Sequence, residues 1–264
     1  NDKTSDIHHI GKGKVVIHYV ETDEPINYVN DKFIAKKFRY LLFERSVIIE
    51  VAKESSIRSF DVVNTHGWLT SSAFALKLLM GIKWVHTLHA LERERLKEMS
   101  SEDRKFSMFE NWVEQTIKFA DRFITVSESL KEQLCSVYRI KDKRVDVIKN
   151  GVDLDIFYPR TLLKKNNNIR IGFVGRLSEE KGADILIESI EYILKHRENV
   201  DFILVIPDID SIGQSMTTLI SYKIKLLELY KKYKKRINII DKSLTHYELS
   251  NIYNSIDIYI QPSY

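Results

Sequence analysis

Short apolar runs recur along this chain, each separated from the next by a longer stretch with apolar residues at helical spacing. Strands this apolar are covered on both faces, and their alternation with helices implies parallel sheets. In the first half, residues 61–66 (DVVNTH), 83–89 (KWVHTLH), 122–127 (RFITVS) and 144–148 (RVDVI) read as strands. TSSAFALKLLM between the first two reads as a helix stopped by Gly81, a residue suited to left-handed backbone past a C-terminus. In EDRKFSMFENWVEQTIKFA, the residues Phe106, Phe109, Val113, Ile117 and Ala120 share one helical face. Ser129 and Glu132 have the spacing of a capping box for a helix running through Tyr138.

The polar, aperiodic stretch RTLLKKNNN after Pro159 marks a boundary. The alternation then resumes: IRIGFVG, DFILVI, RINII and IDIYIQ as strands, with helices between them, the last capped by Thr245 and Glu248. The expectation is an α/β chain of two Rossmann-like, doubly wound domains facing a cleft, residues 1–158 and 169–264, joined by a linker at 159–168. Both domains read as incomplete. The first lacks an opening apolar strand and Gly-rich turn, since Gly11 and Gly13 follow no apolar strand. The second stops at Gln261–Tyr264, at the carboxyl edge of a strand where α/β folds place ligands.

Composition removes several alternatives. No apolar run nears the roughly 18 residues that cross a bilayer, and the N-terminal residues carry no secretory signal. The single Cys135 excludes an intramolecular disulfide and makes a reducing, cytoplasmic setting the default. A net charge of +4 is too small to imply nucleic acid and suits an anionic small molecule equally well. The run LYKKYKKR reads as a solvated helix face, with membrane-surface attachment the lesser alternative. No His/Asp spacing suggests a metal site. Only nine glycines are present, where average usage gives roughly 18. Four of them, Gly151, Gly172, Gly175 and Gly182, lie close together, and the chemistry is sought there.

In IGFVGRLSEEKGADILIESI, a strand delivers Gly175 and Arg176 to the sheet edge, and Lys181 arrives at the start of the next helix. Two cations beside unpaired helix N–H groups suit a diphosphate, with Arg as a fork and Lys as a point charge. Spacing alone is equally compatible with an exposed turn carrying ordinary charges. The loop fits neither the dinucleotide fingerprint nor the P-loop.

Together these passages resemble retaining glycosyltransferases of the GT-B fold, the large family that includes glycogen synthases, sucrose synthases and mannosyltransferases. GRLSEEKG resembles that family's Arg…Lys diphosphate clamp, ADRFITVSESLKEQL with RVDVIKNGVDLDIFYP its central passage, and LSNIYNSIDIYIQPSY its late strand. HTLHALERERLKE with FSMFENWVEQTIKFAD is closer to the glycogen-synthase-like members. The family's pair of Glu residues beyond "PS" and its N-terminal Gly-rich loop are absent from this sequence.

The resemblance implies a UDP- or ADP-sugar donor, a glycan acceptor and no cofactor. It implies that His89 faces the reacting sugar, where the residue type alone would read as a structural strand-end histidine. It also implies that backbone groups of Ser243 and Leu244 hold the nucleobase, and that Asn150 and Gly151 form an interdomain turn, Gly151 at positive φ. His66 is as compatible with packing as with contact to donor or acceptor, whereas His86 reads as packing. Arg93 and Arg95 could meet acceptor hydroxyls, though a solvated helix start is the simpler reading. Transfer of glucose to an α-glucan is the first expectation, and transfer to a lipid-linked or surface glycan the second. A UDP-sugar 2-epimerase-like isomerase and a non-catalytic sugar-nucleotide-binding module are alternatives of other classes.

Overall fold

The computed structural model describes residues 5–10, 13–18, 32–67, 70–91, 108, 111–160, 167–207 and 216–263. Two compact units divide the chain, residues 1–150 and 151–264. The division falls ahead of the break expected at residues 159–168. Its cause is a set of bonds from residues 156–160 to the helix at 246–255: Ser250 donates to the Ile156 carbonyl, and Arg160 to Asn251 and Asn254.

The first unit opens with an antiparallel hairpin, β1 (Ser5–Ile10) and β2 (Gly13–His18), followed by the long helix α1 (Lys32–Ser55). Neither element is expected from the sequence pattern. Its main sheet is wholly parallel and runs in chain order: β3 (Val62–His66), β4 (Lys83–Leu88), β5 (Arg122–Thr125) and β6 (Val145–Val147). Helix α2 (Ser71–Met80) joins β3 to β4 and ends at Gly81, whose φ of 70° lets its N–H reach the Lys77 carbonyl. Before β5, a helical turn at 111–114 passes into a 3-10 turn, Gln115–Phe119, and buries Val113, Ile117 and Ala120 as their spacing requires. Phe106 and Phe109 lie outside the described residues. Helix α3 (Glu128–Tyr138) is capped by Ser127, whose side chain accepts from the Leu130 N–H. The expected cap, Ser129, is instead inside the first turn. The core of this unit gathers around Trp84, Phe123 and Leu134.

In the second unit the parallel sheet has the order β10-β7-β8-β9. Its strands are β7 (Ile169–Val174), β8 (Val200–Val205), β9 (Ile237–Ile240) and β10 (Ile258–Tyr259). Helices α4 (Ala183–His196), α5 (Met216–Lys232) and α6 (His246–Ser255) connect them. The capping box of α6 is present as read, with Thr245 and Glu248 bonding reciprocally. The chain leaves β7 towards β8 and β9 on one side, then returns to lay β10 on the other. Strand order therefore reverses at β7, which makes the carboxyl ends of β7 and β10 the switch point where such sheets bind ligands.

Candidate functional site

At that switch point the loop after β7 is held from both sides. The Gly175 N–H donates to the Val205 carbonyl, Ser178 N–H to Arg176 O, and Lys181 N–H to Ser178 O. A tight 3-10 turn, Glu179–Lys181, ends at Gly182, which also begins α4. Gly182 has φ 64°, donates to the Glu179 carbonyl and accepts from the Leu186 N–H. No side chain caps α4, whose Ala183 N–H donates back to the Ser178 carbonyl, so the positive end of the helix dipole lies next to Lys181 in the chain.

The strand-end segment after β10 closes over this turn. A Cβ on Gly182 would fall within the radius of the Pro262 carbonyl oxygen, and would lie 2.9 Å from its carbonyl carbon. That approach carries a polar chain to the edge. Tyr259 donates to Gln261 Oε1 at 2.6 Å, and Gln261 donates onward to Ser263 Oγ at 2.8 Å. The sequence pattern sets Gln261 and Ser263 at a ligand-binding strand edge but assigns them no role, and it gives no sign of their approach to Gly182.

Arg176 and Lys181 are half-buried at this edge. Arg176 is engaged through Nη2 by Glu180 Oε1 at 2.7 Å, an i,i+4 pair with both partners solvated. Lys181 makes no ion pair among the described residues. Gly175 tolerates little: a Cβ there would stand 3.2 Å from the Phe173 ring. Ser243 and Leu244 follow β9 on the same edge, two strands and about 10 Å away. The sheet thus brings together Gly175, Arg176 and Lys181, and sets Ser243 and Leu244 at the far end of one shelf.

In the first unit the carboxyl edge carries histidines. His66 closes β3, and His89 follows β4 in the adjacent register. Their rings stack with centroids 5.5 Å apart, and His66 Nδ1 lies 3.2 Å from His89 Nε2. Both are solvent-exposed. Nothing in the sequence links the two. His86 is buried, as expected of a packing residue. Trp84 Nε1 donates to Thr65 Oγ1, whose hydroxyl lies 2.8 Å from His86 Nδ1. Burial, then the nearby His66 and His89, push the His86 imidazole down to about 3, so it stays neutral.

Asn150 and Gly151 are exposed after β6, at the point where the two units divide. Gly151 does not take the positive φ expected of it; the described glycines at positive φ are Gly67, Gly81 and Gly182. The turn is made further on, where Asp153 accepts from the Asp155 N–H through its side chain and from Phe157 N–H through its carbonyl. Arg93 and Arg95 lie outside the described residues. Among the described residues, no group of three His, Cys, Asp or Glu could hold a metal ion.

Comparison with known proteins gives the family and the fold. The family profile described as Glycosyltransferase Family 4 matches residues 17–156, and that of Glycosyl transferases group 1 matches residues 156–264. The chain is a member of Glycosyltransferase Family 4. An uncharacterized glycosyltransferase of Methanocaldococcus jannaschii is 29% identical over 160 residues, which are 56% of this chain and 40% of that protein. The alpha-maltose-1-phosphate synthase of Mycolicibacterium smegmatis is 30% identical over 176 residues, 60% of this chain and 44% of the synthase. The aligned part is therefore less than half of each relative's length. Among solved structures, the sucrose-phosphate synthase of Thermosynechococcus elongatus superposes with a TM-score of 0.72 at 18% identity, covering 100% of this chain and 63% of that one. This likeness gives the chain the GT-B fold.

Proposed function

We propose that the whole protein is a retaining hexosyltransferase that moves a sugar, with glucose the first candidate, from a UDP- or ADP-sugar to a glycan acceptor. The reading rests above all on one observation: Arg176 and Lys181 stand at the strand-order reversal, beside the start of α4, which no side chain caps. When the bond from the anomeric carbon to the diphosphate breaks, negative charge grows on the leaving oxygens. Fixed cations and helix amides aimed there stabilise the transition state more than the bound donor. The acceptor hydroxyl forms the new bond, and its proton goes to the departing diphosphate. In this reading the two side chains carry the charge that a metal carries elsewhere, and no metal is required.

Backbone groups of Ser243 and Leu244 hold the nucleobase at the far end of the shelf, and the first unit supplies His89 to orient the reacting sugar. Its bond to His66 leaves the His89 Nδ1 side for a sugar hydroxyl. The test is to incubate the full-length protein with UDP-glucose or ADP-glucose and oligosaccharide acceptors, and to follow the anomeric protons by NMR. The expected product keeps the donor's α configuration. In His89→Ala, kcat falls while KM changes little. An inverted product, or an epimerised sugar released without acceptor, overturns the reading.

A further inference from the structure

We propose that α5 is a membrane-surface helix that docks the second unit on anionic lipid. At 100° per residue its core face is set by Leu226 and Leu229, which are buried, with Tyr222 packed beside them. Ile220, Ile224 and Leu227 fall within about 60° of one another on the opposite side. They are 49%, 52% and 41% exposed. An aliphatic stripe that turns its back on its own core contributes little to the fold.

Its surroundings choose the occupant. Glu228 is the acidic residue of α5, against Lys223, Lys225, Lys231 and Lys232, and Lys234 and Lys235 follow at once. Lys223 and Lys232 have carboxylate neighbours, Asp241 at 3.9 Å and Glu191 at 3.7 Å. Lys225, Lys231, Lys234 and Lys235 make no ion pair among the described residues. Arg236, which could grip a fixed anion with its fork, is committed to the carbonyls of Val200, Leu194 and Arg197. Uncompensated lysines on long stems suit a plane of mobile phosphate headgroups rather than one shaped anion. A convex, narrow stripe of Ile and Leu rimmed by such lysines is the pattern of a helix lying in the interface. No helix among the described residues is long and apolar enough to cross a membrane, so contact through α5 is peripheral. The proposal stands apart from the assignment of the glycosyl-transfer site.

The experiment is co-sedimentation of the chain with vesicles of phosphatidylcholine, with and without phosphatidylglycerol, at low and high salt. The chain should bind only the phosphatidylglycerol vesicles and be released by salt. Lys231→Gln and Lys234→Gln should each lower the partition coefficient about fivefold. The triple change Ile220→Ser, Ile224→Ser and Leu227→Ser should lose most of the remaining binding while keeping the wild-type melting profile, because all three side chains are exposed. If that triple variant fails to fold, the lysine variants carry the test alone. Equal binding to neutral vesicles, no binding to the anionic ones, or unchanged partitioning in the lysine variants overturns the proposal. So does sedimentation velocity showing a wild-type dimer that the triple variant breaks, since the stripe would then belong to a second copy.

Discussion

Replacing Gly182 by alanine separates two costs that the structure sets side by side. The first is conformational: at φ 64° a Cβ crowds the following carbonyl, which disfavours an L-residue by about 1–2 kcal/mol. Gly81, at φ 70° with nothing within 4 Å of where a Cβ would stand, carries only this cost. At Gly182 the added methyl also meets the Pro262 peptide, with the carbonyl carbon at 2.9 Å and Pro262 Cβ at 3.2 Å. These are main-chain and ring atoms that cannot swing aside, so the segment after β10 must shift by about 1 Å. Overpacking of this kind costs about 1–3 kcal/mol. Gly81→Ala should therefore lose about 1–2 kcal/mol of unfolding free energy and Gly182→Ala about 2–5 kcal/mol. Urea unfolding followed by circular dichroism, with linear extrapolation, measures both. Gly182→Ala should also weaken UDP or ADP binding by at least about tenfold, a loss of about 1.4 kcal/mol or more, because Lys181 and the α4 amides move with that turn. Gly81→Ala should leave binding alone. If the two variants lose equal stability and bind nucleotide equally well, the close approach of the strand-end segment is not what holds this loop.

Three further outcomes follow from the same geometry. Arg176→Ala and Lys181→Ala should each weaken nucleoside diphosphate binding in calorimetry but leave the unphosphorylated nucleoside unaffected; equal losses for both ligands would place the base, not the phosphates, beside these cations. Glu180→Gln should release Arg176 Nη2, raising diphosphate affinity while changing stability by no more than about 0.5 kcal/mol, since the pair is solvated; an affinity that falls instead means the carboxylate positions the guanidinium. His86, held neutral with its imidazole pushed down to about 3, leaves the unfolded chain to take up the proton first as pH drops below 6.5. Its contribution is whole above that value and is lost towards acid by about 1.4 kcal/mol per pH unit, so the pH dependence of unfolding should flatten between about pH 6 and 4 in His86→Phe.

What the sequence made legible were the features that burial writes into short windows. The strands of the two parallel sheets fell on apolar runs, most clearly the well-buried β4, β7 and β8, whose coverage leaves little polar side to interrupt them. Gly81 and the Thr245–Glu248 box were legible because each device is complete within a few residues. Helix α1 was not, since Phe38, Leu41 and Ile49 are exposed while Glu44 is buried, which scrambles the one-sided pattern that marks a helix. Ser129 outranks Ser127 in the sequence because it has an acid three residues on, yet Ser127 is where the extended backbone after β5 gives way to the helix. Asn150-Gly151 suggests a left-handed turn, but the side chain of Asp153 already makes the turn. At the candidate site, Arg176 and Lys181 stand out as cations framed by glycines. The partnership of Gly182 with Pro262 joins distant parts of the chain, and that of His66 with His89 joins two strands. Contacts at such separations leave no local periodicity to read.

If the carboxyl edge around β7 and β10 holds the phosphates of a nucleoside diphosphate, an amide NMR titration of the chain with UDP and with ADP will locate them there. The largest shifts should fall at Gly175, Arg176, Lys181, Gly182, Ala183 and Asp184, with smaller ones at Ser243, Leu244, Gln261 and Ser263. The amides near His66 and His89 should barely move when nucleotide lacks its sugar. Saturable binding whose shifts centre anywhere else, or no shift at this edge at millimolar nucleotide, would contradict the assignment.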